Sequence, residues 1–201
     1  PRAYAAPVAQ IGQAAPLPGN QIPQFVDPLP LLGAPSAQGG TIEVLVNNPS
    51  NTNTIYMREF DAHILPTGLF APGVKPATRV WGYRLGVAPT LADTYIGPVI
   101  VAERSSPTTK RPTKIRWVNM LGDTVGSKVT AWVTSTDQTL HWADPNMQMG
   151  SLLNYAGPIP AVPHLHGGEV PPVLDGGPDA WFLSQAALNY PTYMMHGHAY
   201  Y

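Results

Sequence analysis

Short stretches in which apolar and polar residues alternate recur along the chain, separated by clusters of proline, glycine and asparagine. The segment Thr41-Ile42-Glu43-Val44-Leu45-Val46 alternates and is rich in β-branched residues, which predicts a strand. Asn47 to Asn53 is a turn cluster, and Thr54-Ile55-Tyr56-Met57-Arg58-Glu59-Phe60 reads as the returning strand. The same pattern predicts strands at Arg79–Tyr83, Val99–Glu103, Thr113–Asn119 and Val129–Thr134, with another near Ala161–His166. No stretch carries the period of an amphipathic helix, and no internal repeat is evident. Closely spaced short strands with turn signals between them predict an all-β Greek-key sandwich.

Proline changes the picture at the N-terminus. Eight prolines between Pro1 and Gly40 forbid a helix and interrupt any central strand, so residues 1–40 read as an extended arm. Within it Phe25-Val26-Asp27-Pro28-Leu29-Pro30-Leu31-Leu32 is apolar enough to lie across a domain surface. Residues 41–201 then form one domain, long enough to bury a core. Only 11% of residues are charged and the net charge is −1, without a basic stripe, which argues against nucleic acid as a partner. The one short basic run, Lys110-Arg111-Pro112-Thr113-Lys114, reads as a solvated turn. No run of apolar residues is long enough to span a membrane, and the N-terminus lacks the pattern of a signal peptide. It begins without methionine, as a processed or an incomplete end would.

Candidate chemistry centres on Val162-Pro163-His164-Leu165-His166-Gly167-Gly168. In a strand, positions i and i+2 share a face, about 6.5–7 Å apart. Two histidines held so can serve two neighbouring metal ions or a single one, and neutral imidazole suits copper, zinc and iron. Pro163 fixes the approach to His164, and Gly167-Gly168 permits a sharp turn or close approach of another group.

The chain resembles the first cupredoxin domain of the multicopper oxidases, in particular the branch of bacterial spore-coat laccases and bilirubin oxidases. The resemblance runs from about Phe25 to Phe182. It rests on Phe25-Val26-Asp27-Pro28-Leu29-Pro30, Arg79-Val80-Trp81-Gly82-Tyr83, Tyr95-Ile96-Gly97-Pro98-Val99-Ile100-Val101 and Ile115-Arg116-Trp117-Val118-Asn119. Clearest are Thr139-Leu140-His141-Trp142-Ala143-Asp144-Pro145 and the run from Val162 through Asp175-Gly176-Gly177-Pro178-Asp179-Ala180-Trp181-Phe182.

The resemblance implies a cupredoxin-like β-sandwich and a role for two residues. His164 matches a ligand of the type 2 copper, and His166 a ligand of the type 3 pair, in a trinuclear cluster that reduces dioxygen to water. Four His-X-His pairs build that cluster in the family, and its electrons come from a type 1 copper bound by a cysteine thiolate. This sequence has no cysteine. The expectation is therefore the N-terminal part of a laccase-like copper oxidoreductase, not catalytically complete by itself. Its partners are then the remaining cupredoxin domains of the same oxidase or neighbouring subunits. The alternative is a non-enzymatic structural or assembly protein that keeps the fold and uses its arm to bind neighbours; a copper-storage module is a third reading. The family is commonly secreted, periplasmic or on spore and cell surfaces, which implies a place outside the cytoplasm.

Other candidates read more plainly. His196-Gly197-His198 follows His166 by 30 positions, less than the family usually shows, and lacks the Trp-(Tyr/Phe)-His-Asp-His setting of its second pair. It resembles the glycine- and tyrosine-rich connector before that pair and reads as a surface loop. His141 and His63 read as loop or strand-face histidines. Asp175 and Asp179 suit a proton relay but fit better as turn residues. Trp81, Trp117 and Trp181 read as core, and Met147 and Met149 are too few for a Cu(I) surface.

Overall fold

A computed structural model describes residues 17–33, 42–74, 76–87, 96–129, 155, 157–184 and 194–200. Among them the only regular elements besides strands are two single 3-10 turns, Gly19–Gln21 and Pro172–Leu174. The fold is all-β, consistent with a cupredoxin-like sandwich. No helix among the described residues is long and apolar enough to cross a membrane.

The longest strand is β2 (Thr52–Ala62), flanked by β3 (Thr78–Arg84) on one side and β5 (Lys114–Met120) on the other. β3 runs antiparallel, with Glu59 opposite Trp81 and Phe60 opposite Val80. β5 runs parallel, with Ile55 opposite Trp117 and Met57 opposite Asn119. The buried face of β2 changes midway, from Ile55 and Met57 to Phe60 and Ala62. Its first half, with Trp81 and Trp117, packs on Leu121, Ile159, Ala161 and Phe182. Its second half packs with Val80, and Arg84 lies 5.2 Å above the Phe60 ring.

A second pairing joins β1 (Val44–Val46) in parallel to β4 (Val99–Val101), through Val44–Val99 and Val46–Val101. The sequence reading of β2 as the strand returning beside β1 is corrected here. The asparagine cluster ties the end of β1 elsewhere: the Asn47 amide donates to the Val101 carbonyl at 2.9 Å, and its Nδ2 to Pro112 at 3.2 Å. The chain then turns at Asn48–Asn51 and enters the other sheet. β4 is also shorter than expected, ending at Val101, and the strand expected at Val129–Thr134 lies outside the described residues apart from Val129.

A third pairing carries the histidines. β6 (Pro160–Ala161) is antiparallel to β7 (Phe182–Leu183). Asn119, at the end of β5, fastens this ribbon to the main sheet. Its Nδ2 donates to the carbonyls of Ile159 (2.8 Å) and Phe182 (3.2 Å), while its Oδ1 accepts from Leu121 N at 3.1 Å.

The described part of the arm docks differently from its apolar promise. Phe25, Val26, Leu29, Leu31 and Leu32 are exposed. The arm is held instead by Asp27, whose carboxylate accepts from Thr67 N at 2.8 Å and from the Thr67 hydroxyl, and by Pro23 against Gly68.

Candidate metal centre

His164 and His166 follow directly from the buried end of the ribbon. Ile159 is fully buried and its amide donates to Gly122 O at 2.9 Å, so the chain leaves the core from a fixed point. Val162 packs on Trp181 and Leu183. The strand predicted to run through His166 stops at Ala161. Pro163 has no amide to continue the ladder, and a turn follows, with Gly168 N donating to Leu165 O at 3.2 Å and Gly167 at φ 71°. The left-handed conformation at 167 explains a glycine there.

This turn brings the imidazoles closer than a strand would. Their centroids lie 4.4 Å apart with planes tilted by 53°. His164 is half-buried and His166 exposed. The His164 ring fills the space that a side chain at Gly176 would occupy: a Cβ built there would overlap Nδ1 and lie 2.7 Å from Cγ. Gly176 belongs to the turn after Pro172–Leu174, where Asp175 N donates to Pro172 O at 3.2 Å and Ala180 N to Gly177 O at 2.9 Å. Asp175 caps this turn. No cluster of three or more histidine, cysteine or acidic side chains suited to a metal occurs among the described residues. The donors gathered here are two imidazoles, which suit copper, zinc or iron and leave most of an ion's coordination open.

The second pair lies on the far side of β7. Phe182 bridges to His196 as well as pairing with Ala161. Leu183 N donates to Met195 O (2.9 Å), Gly197 N to Trp181 O (2.9 Å) and Ala199 N to Asp179 O (3.0 Å). So residues 195–199, a largely exposed loop as read from sequence, lie along the edge of β7. Among the described residues the two pairs are not gathered into one cluster. His196 stacks on Tyr200 at 4.8 Å between centroids.

Gly197 also has a reason that sequence did not disclose. A Cβ there would overlap the Asp179 carbonyl oxygen and lie 2.6 Å from Trp181 Nε1. Since Trp181 is buried and Asp179 offers backbone, neither yields cheaply. Replacing Gly197 with alanine is expected to peel residues 195–199 from β7 at a cost of about 1–3 kcal/mol. Amide exchange checks it: Leu183 and Ala199 lose protection, and unchanged protection at both would contradict the packing.

Of the remaining candidates, Trp81 and Trp117 pack on the core and Trp181 is buried, as expected. Trp81 Nε1 donates to Glu59 at 3.2 Å. His63 lies half-buried just beyond β2. His141, Met147 and Met149 lie outside the described residues.

No protein-family model matches the chain, and no solved structure does. Two curated proteins are similar to it over 107 residues, or 53% of the chain. One is a laccase of Bacillus subtilis (strain 168), 31% identical, of which the match covers 16%. The other is multicopper oxidase LPR1 homolog 5 of Oryza sativa subsp. japonica, 32% identical, of which it covers 14%. Both relatives are thus several times longer than the region they share with this chain.

Proposed function

We propose that this chain supplies copper ligands to a laccase-like multicopper oxidase, with His164 bound to the type 2 copper and His166 to the type 3 pair. The observation that carries the reading is the pair of imidazoles 4.4 Å apart on a turn anchored to the core, in a chain similar to two such oxidases. Further ligands and the electron-entry copper come from other parts of a longer protein. When bound, the copper cluster supplies the four-electron reduction of dioxygen to water.

The task of this chain's own residues is to hold donors in place. The ribbon fixes where the His164 backbone begins, the Leu165–Gly168 turn brings His166 beside it, and the Gly176 backbone supports the first ring. The closeness of the two rings suits two neighbouring ions. A site outside the cytoplasm, as in the family, belongs to the same proposal.

The intact mass of the natural protein, measured with its copper content, tests this reading. A mass far above the 21.5 kDa of this sequence and several coppers per chain are expected. A matching mass with no copper would instead favour the assembly role of the arm, whose apolar side chains are exposed. Protons compete with metal for imidazole nitrogen, so copper affinity should fall between about pH 7.5 and pH 5. Equal affinity at both, in a competition titration, would point to ligands other than histidine.

A further inference from the structure

We infer that Gly176 is a positioning residue for His164, seating the Nδ1 edge of the ring against bare backbone so that Nε2 is the nitrogen offered to metal. This rests on the proposed copper-ligand role of His164.

Two separate demands meet at this glycine. Its φ of 76° lies in the left-handed region that favours glycine. Five other described glycines share a positive φ, but none of them has an atom nearer than 3.4 Å to where a Cβ would stand. At Gly176 that position is filled by the imidazole, with Nδ1 nearest, then Cγ at 2.7 Å and Cε1 at 2.9 Å. These three atoms are contiguous, so the opposite edge, which carries Nε2, faces away from the turn. The neighbouring Gly177 has nothing within 4 Å, which confines the requirement to a single residue.

The wall cannot simply recede. Bonds on either side, Asp175 N to Pro172 O and Ala180 N to Gly177 O, hold the turn. On the other flank Pro163 restricts the backbone that leads into His164. An added methyl would therefore displace the ring rather than the turn. Metal sites tolerate errors of only about 0.2 Å in donor distance, and a rotated ring moves its nitrogen by more than that. Orienting groups of this kind change metal affinity by roughly 10–100-fold.

The test uses the full chain and four variants: Gly176→Ala, Gly73→Ala, His164→Ala, and Gly176→Ala combined with His164→Ala. Gly73 has nearly the same φ, 78°, with nothing within 4 Å, so its variant carries the backbone strain without the ring overlap. Gly176→Ala should lower the urea midpoint more than Gly73→Ala, and removing the ring in the double variant should recover the difference. Cu(II) affinity should fall at least about tenfold in Gly176→Ala and stay at the wild-type level in Gly73→Ala. Long-range 15N NMR of the wild-type chain with Cu(I) should show Nε2 of His164 coordinated.

Additive losses in the double variant, or coordination through Nδ1, would overturn the inference. If Gly176→Ala does not fold, recovery of folding in the double variant supports it, and failure there overturns it. Absence of copper from the whole natural protein, which supplies the remaining ligands, would defeat the copper reading alone, and the stability comparison would still decide whether Gly176 seats the ring.

Discussion

Changing His164 and His166 together to alanine should strip copper from the chain while leaving its fold intact. The asymmetry follows from where the two rings sit. His166 is exposed and His164 half-buried, and neither belongs to the packed clusters around Ile159 and Trp181. Their loss therefore removes little buried apolar area, and the stability should change by no more than a surface substitution allows, about 0.5 kcal/mol. Loss of an orienting neighbour alone weakens metal sites by roughly 10–100-fold, and removing two ligands should exceed that. Copper content by metal analysis, set beside the thermal midpoint, reads both effects. Undiminished copper in the double variant would move the site elsewhere in the protein.

Asn119→Ala should do the opposite, damaging the fold first. The side chain is only 2% exposed and makes three hydrogen bonds with the backbone, to Ile159, Phe182 and Leu121. Truncation leaves two carbonyls and an amide without this partner in a buried setting, each costing about 1–3 kcal/mol if unrelieved. A total near 4 kcal/mol, after partial relief by water, corresponds to a fall of about 8–16 °C for a chain of this size. Because the same amide joins β5 to both strands of the histidine ribbon, copper affinity should weaken as well. A midpoint within about 2 °C of wild type, again on that scaling, would show that the bonds contribute little.

Local structure was legible in the residues; partnership was not. Alternation and β-branching placed β2, β3 and β5 to within two residues at each end, because those strands are half-buried and their pattern has to follow the pleat. The same pattern holds no information about which strand lies beside which. That is why β2 was expected beside β1, whereas β1 in fact pairs with β4. The histidine pair was visible as a motif, but its geometry was not, since Pro163 and the Leu165–Gly168 turn end the strand that alternation alone predicts.

Glycines show the same division. Asp175-Gly176-Gly177 reads as a tight turn from sequence, yet only the fold reveals that one of the two glycines faces an imidazole and the other faces open space. Gly197 reads from sequence only as part of a loop, until the fold puts Trp181 and Asp179 against it. Asn119, within a matched segment, gave no sign that it joins three parts of the chain.

The two parallel pairings have a consequence for modularity. Val44 finds its partner at Val99 and Thr52 at Lys114, so each sheet is stitched from pieces that the other sheet interrupts. A cut between β3 and β4 would leave β1 on one fragment and β4 on the other, and would divide β2 from β5 in the same stroke. Only the two-stranded β6–β7 ribbon would survive whole, on the same fragment as β5. The main sheet and the β1–β4 pair therefore have to be inherited, transplanted or lost together, while the histidine ribbon stays fastened to β5 through Asn119.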